Sequence, residues 1–182
     1  CKVEEKEETK NENLLTQEEA LSLGKEKYEY ARDGLYSCGY TQVKIDESKF
    51  YTYTLDGMKT TGDSSDYYAR ITNINDIKSN LTFHGFIDWV IDMDIKTFNN
   101  EFYFNSMGCG EGPVHAKDNY EISVLKIYKD MIIYSVKEKF YKINNSDVSD
   151  EIDENSTVEN RFVILKEDNV WKINEYTDYY AE

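Results

Sequence analysis

The chain has 182 residues, 40% hydrophobic and 31% charged, with a formal net charge of −15. That length and apolar content suit one folded domain with a tail and exclude a disordered chain. The charge excludes nucleic-acid binding, which needs a basic surface, and docking of a protein face on anionic lipid.

Behind Cys1, the run Lys2 to Asn13 (KVEEKEETKNEN) holds a single apolar residue, Val3. Such a run cannot bury enough surface to fold. The expected organisation is therefore a flexible acidic tether over 1–13 and a single α+β domain over 14–182. A cysteine followed by a polar tether resembles the mature form of bacterial lipoproteins, which are cut immediately before a lipid-bearing cysteine. The resemblance implies a signal peptide, acyl chains such as palmitate on Cys1, and residence on the outer, extracytoplasmic face of the cell membrane. No segment approaches the roughly 18 apolar residues of a membrane span, so lipid would be the anchor.

Thr16-Gln17-Glu18-Glu19 is a capping box, placing Thr and Glu where they satisfy two orphan amides at a helix start. Ala20, Gly24, Tyr28, Ala31, Leu35 and Cys38 then recur every three or four residues, which predicts a helix from about Gln17 to Ser37. Short β-like runs follow at Thr41–Ile45 and Phe50–Leu55, then a turn-rich piece over Asp56–Asp66 and a strand over Tyr67–Thr72. Asn75–Asn80 reads as a short helical turn. A second amphipathic helix follows Thr82, with Phe83, Phe86, Ile87, Val90 and Ile91 as its apolar stripe and Asp88 and Asp92 off it.

From Lys96 onward the pattern is β, with runs at Thr97–Phe104, Tyr120–Tyr128, Met131–Ile143, Thr157–Lys166 and Val170–Tyr176. Asp130 and Glu167-Asp168-Asn169 read as hairpin turns. Helices first and a strand meander last make an α+β fold: a long N-terminal helix and a second amphipathic helix packed on a curved antiparallel sheet. Leu35, Phe86, Val90, Val124, Val136, Ile164 and Trp171 are the expected buried positions.

Several groups carry candidate chemistry. Cys38 and Cys109 form a candidate disulfide in an exported protein, closing a long loop worth roughly 4 kcal/mol in the chain-entropy view; the alternative is two small buried hydrophobes. Gly108, Gly110, Glu111 and Gly112 surround Cys109 in a loop that is either structural or faces a ligand or partner. His84 and His115 lie in no zinc-binding pattern, and Cys109 with His115 lacks an orienting third group, so no catalytic residue, metal or cofactor is assigned.

Asn144–Asn160 (NNSDVSDEIDENSTVEN) carries six acidic residues and no Lys or Arg. It reads as an acidic hairpin loop. Its roles are a solvated guard of a β-edge, a calcium site, or a partner contact through Asp147, Asp150, Glu151, Asp153 and Glu154. Glu138 falls in register with Ile132, Tyr134, Val136 and Phe140 on an otherwise apolar face, marking a bulge, a strand end or a polar group in a cavity.

The order of these elements resembles the NTF2/cystatin-like superfamily, in which helices pack into the concavity of a curved antiparallel sheet. Tyr68, the Asn80-Leu81-Thr82 lead into the second helix, the Gly108–Gly112 turn and Trp171 make it similar to the exported Gram-positive DL-endopeptidase inhibitor family. The resemblance implies a non-enzymatic protein that binds a partner at the cell envelope, a basic cell-wall hydrolase. The alternative is a small-ligand carrier or sensor using a pocket between helix and sheet. A cavity holding Glu138 favours the carrier, whereas a filled core with an exposed acidic segment favours the inhibitor.

Overall fold

The computed structural model describes residues 14–35, 42–60, 67–105, 115–144 and 147–179. Helix α1 (Gln17–Gly34) starts at the expected box. The Thr16 hydroxyl accepts from the Glu19 amide at 3.2 Å, and the Glu19 carboxylate accepts from the Thr16 amide at 2.8 Å. The helix ends at Gly34, short of the expected Ser37, and Leu35 closes it by donating to the Ala31 carbonyl at 3.0 Å. Ala20, Tyr28, Ala31 and Leu35 are fully buried along the predicted stripe.

Strand β1 (Ile45–Thr54) turns at Leu55-Asp56 into β2 (Gly57–Thr60), so a strand occupies part of the segment expected to be turns. The strand expected over Thr41–Ile45 does not form across Gln42 to Lys44. The Asn73 side chain takes their backbone groups instead, accepting from the Lys44 amide at 2.9 Å and donating to the Gln42 carbonyl at 2.5 Å. Strand β3 (Tyr68–Ile71), helix α2 (Ile74–Asn80) and helix α3 (Phe83–Asp92) follow close to expectation.

The run expected as one strand over Thr97–Phe104 is a hairpin, β4 (Lys96–Phe98) and β5 (Glu101–Asn105). Asn99 and Asn100 both adopt positive φ, 50° and 60°, which is the backbone of a two-residue turn that suits asparagine. The rest is a meander of β6 (His115–Ile127), β7 (Met131–Asn144), β8 (Asp147–Glu167) and β9 (Val170–Tyr179). Asp168 and Asn169, at φ 53° and 62°, make the last turn.

The described residues are thus α+β, with three helices and a strongly curled antiparallel sheet, a half-barrel. The strands hydrogen-bond in two groups, β2-β1-β3-β5-β4 and β6-β7-β8-β9, so three strands before Lys96 contribute more than expected. One core cluster draws Leu35 from the cap of α1, Trp89 from α3, Phe104 from β5 and Val136, Ile164 and Ile173 from the meander. Burying each aliphatic side chain of this kind contributes roughly 2 kcal/mol. Of the remaining expected core positions, Phe86 is buried while Val90, Val124 and Trp171 are half-buried.

Helix α3 sits rotated from its predicted face. Gly85, Phe86 and Trp89 face the core, whereas Phe83, Ile87 and Ile91 are exposed. The reason is the close crossing of α3 over β9. A Cβ on Gly85 would lie 2.7 Å from the Ile173 carbonyl oxygen, so only glycine permits this approach. Thr82 locks the crossing: its amide donates to the Ile173 carbonyl at 2.9 Å and its hydroxyl bonds the Asn174 side chain at 2.9 Å. Trp89 completes the docking by donating from its indole to the Leu35 carbonyl at 3.1 Å.

Candidate functional site

The inward faces of β7, β8 and β9 alternate as their period dictates, so Ile132, Tyr134, Val136 and Glu138 share one side of β7. Glu138 is therefore carried into the concavity under α1, where it is 1% exposed. Its Oε2 accepts from Asn160 Nδ2 on β8 and from the Tyr176 hydroxyl on β9, both at 2.7 Å. Its Oε1 faces Arg32 Nε at 3.9 Å. Arg32 lies one helical turn beyond Tyr28 on the buried side of α1, and its guanidinium rests 5.0 Å from the centre of the Tyr120 ring.

Aromatic rings enclose this polar group. Tyr28 packs against Tyr120, Phe162 and Tyr176 at centroid distances of 4.9, 5.6 and 5.9 Å. The Tyr28 hydroxyl faces Glu138 and Tyr176 outside good hydrogen-bond geometry. Burial, followed by the Tyr176 and Glu138 charges, pushes its pKa far above the ordinary phenol value. Tyr120 donates from its hydroxyl to Glu29 at 2.6 Å; burial and then that bond raise its pKa too. A groove of about 440 Å³ runs alongside, lined by Lys25, Glu29, Tyr120, Glu121 and Ile122. Tyr120 therefore stands between the groove and the buried group. With its carboxylate held by Asn160, Tyr176 and Arg32, Glu138 ties α1 to three strands and sits out of reach of solvent.

The acidic segment is a correction. Asp147 to Glu159 form the first part of the 21-residue strand β8, paired with β7 from Asn144↔Asp147 upward, and are not a projecting loop. Carboxylates are poor strand formers alone, and cross-strand lysines offset them here. Lys142 pairs with Glu151 at 3.0 Å, and Lys139 pairs with Glu154. Asp147, Asp150, Glu151 and Glu154 are exposed and Asp153 is half-buried, accepting from the Asn155 amide at 3.0 Å. No group of three or more metal-ligating side chains occurs among the described residues.

The other expectations divide between placed and unplaced residues. His84 is exposed on α3 and pairs with Asp88 at 3.0 Å, and the backbone of His115 joins β6 to β7. Cys1 and the tether, Cys38, Cys109, Gly108, Gly110, Glu111 and Gly112 all lie outside the described residues, as does the candidate disulfide. Sequence reasoning noticed Glu138 and missed its partners. The signal was present: Arg32 sits four residues after Tyr28, on the same helix face, so two opposite charges point inward from α1 and β7.

No protein-family model matches the chain, and no curated protein sequence matches it. Among the described residues, no helix is long and apolar enough to cross a membrane.

Proposed function

We propose that the chain is a non-enzymatic binding protein of the cell envelope, held at the outer face of the membrane by lipid on Cys1. Its NTF2/cystatin-like domain engages a basic partner, for which a cell-wall DL-endopeptidase is the leading candidate. An α+β fold of helices with a strongly curled antiparallel sheet supports the fold reading, and the polar run behind Cys1 supports the tether.

The observation that carries the partner reading is the first half of β8. Among the described residues, Asp147 to Val158 pair with β7 on one side, while pairing with β9 begins only at Glu159. An open strand edge presents backbone donors and acceptors to another chain. The exposed Asp147, Asp150, Glu151 and Glu154 beside that edge favour a Lys- or Arg-rich partner and speed its encounter with a chain of charge −15.

The test is inhibition of peptidoglycan hydrolysis by a DL-endopeptidase, with wild type compared against a variant carrying Asp147→Asn, Asp150→Asn, Glu151→Gln and Glu154→Gln. Exposed charges contribute little to stability, so the variant should fold like wild type and associate more slowly. If wild type neither binds nor inhibits, the partner reading fails. The anchor is tested separately: protein made in its own host should partition into membranes and carry acyl mass on Cys1.

The groove beside Tyr120 favours a second reading, a carrier of a small ligand. In that case Tyr120→Ala would change ligand affinity while leaving hydrolase inhibition untouched.

A further inference from the structure

Helix α3 is apolar on two sides. Its core side is Gly85, Phe86 and Trp89. On the outer side Phe83, Ile87 and Ile91 stand at i, i+4 and i+8, one above another, and are 75%, 40% and 68% exposed. Single exposed hydrophobes are ordinary, but three large ones in a continuous row on one helix mark a surface built to be covered. Val170, also half exposed, extends the apolar surface toward the β8–β9 turn, where the Phe83 amide donates to Glu167 at 3.3 Å.

The border of this row is acidic on the Asp88 side, while Lys78 Nζ lies 5.0 Å from the Phe86 ring on the other. Asp88 and Asp92 flank it along α3, Asp94 follows at its C-terminal end, and Glu167 and Asp168 stand at its N-terminal end. Lys96 and Lys172 offset Asp94 and Glu167, His84 Nε2 lies 3.0 Å from Asp88, and Asp92 makes no ion pair among the described residues. A second copy of the chain would bring the same carboxylates and another charge of −15 against them, which opposes self-association.

We infer that the outer face of α3 is a docking surface for a protein helix that is apolar along one side and bordered by Lys or Arg. Phe83, Ile87 and Ile91 supply the buried centre, and Asp88 and Asp92 meet the partner's cations at the rim. This surface is separate from the acidic edge of β8 and goes beyond the reading proposed above.

The probe is a synthetic helical peptide of about 18 residues with Leu along one face and Lys elsewhere, titrated calorimetrically into the full chain. A twin peptide with Glu in place of Lys serves as control. The expected result is saturable binding of the Lys peptide, with Ile87→Ser plus Ile91→Ser weakening it by about tenfold or more. Asp88→Asn plus Asp92→Asn should weaken it less and reduce its salt dependence. Leu125→Ser on β6 and Asp147→Asn plus Asp150→Asn on β8 should leave affinity unchanged, with thermal melts showing all variants folded. Equal binding of the Glu twin, or loss with the β8 pair matching loss with the α3 pair, overturns the assignment. Concentration-dependent dimerisation in sedimentation, abolished by the α3 pair, overturns it in favour of a second copy. If the β8 variants lose hydrolase inhibition while peptide binding persists, the two surfaces are distinct.

Discussion

The hydroxyl of Tyr134, in the middle of β7, donates a 2.7 Å hydrogen bond to the carbonyl of Ala20 in the first turns of α1. The Tyr134 ring crosses the helix at Gly24, where an added Cβ would fall 2.3 Å from the ring carbon Cε1. The ring is fully buried and its far end is tethered, so it cannot swing aside.

Gly24→Ala should therefore destabilise the protein. Overpacking costs about 1–3 kcal/mol, against a gain of about 1 kcal/mol in helix propensity. Tyr134→Phe should cost about 1 kcal/mol by removing the bond alone. Urea unfolding measures both, and stabilisation by Gly24→Ala would refute the crossing.

Glu138 and Arg32 should behave as a unit. Glu138→Leu alone leaves a buried guanidinium beside an apolar side chain and should cost about 3–5 kcal/mol. Adding Arg32→Met should recover part of that loss, because no charge is then left buried, while Asn160 and Tyr176 still lose the Glu138 acceptor. A double-mutant cycle reads the coupling, and strictly additive losses would show that the two groups do not interact.

The Asn99-Asn100 turn sets a third expectation. At φ 60°, Asn100→Gly should be neutral or stabilising by up to about 1 kcal/mol, because glycine carries no Cβ penalty there. Asn100→Val should lower the melting temperature by several degrees in the same differential scan.

Stability should fall in alkali. Burial, followed by the Glu101 hydrogen bond and charge, pushes Tyr103 up to about 12, and burial raises Tyr28 and Tyr134 further. Unfolded tyrosine ionises near about pH 10, so above that the unfolded chain binds fewer protons than the native one. The stability present below about pH 10 is then lost as pH rises, at up to about 1.4 kcal/mol per pH unit for each buried phenol. Chemical denaturation between about pH 9 and pH 12 checks this, with phenolate absorbance reporting ionisation. A flat profile would mean that these rings reach solvent.

The legible parts of this fold were those whose signals are local. Thr16 and Glu19 announce α1 by their spacing alone, and Asp168-Asn169 announces the last hairpin. The Asn99-Asn100 turn was hidden because Thr97 to Phe104 is otherwise an unbroken β-rich run. The orientation of α3 was hidden for a different reason. Periodicity weighs Phe83, Ile87 and Ile91 by hydrophobicity, whereas Gly85 decides the face by letting a backbone approach at 2.7 Å. The acidic stretch misled because its compensating charges, Lys139 and Lys142, sit across a strand pair that composition does not show. Half of the buried polar site was visible in Glu138; Asn160 and Tyr176 depend on register between strands.

The meander has a kinetic side. Among the described residues, strands β6 to β9 form their ladders with sequence neighbours, through turns as short as Asp168-Asn169, so these contacts close at small entropic cost. The contacts of α1 with Tyr134, Phe162 and Tyr176 span much of the chain length. The β hairpins should therefore assemble first, with Glu138 and Asn160 still hydrated, and α1 should close over them late. Amides of α1 would then exchange with solvent through a partial opening that leaves the meander intact, whereas those at the centre of β7 would exchange only on global unfolding.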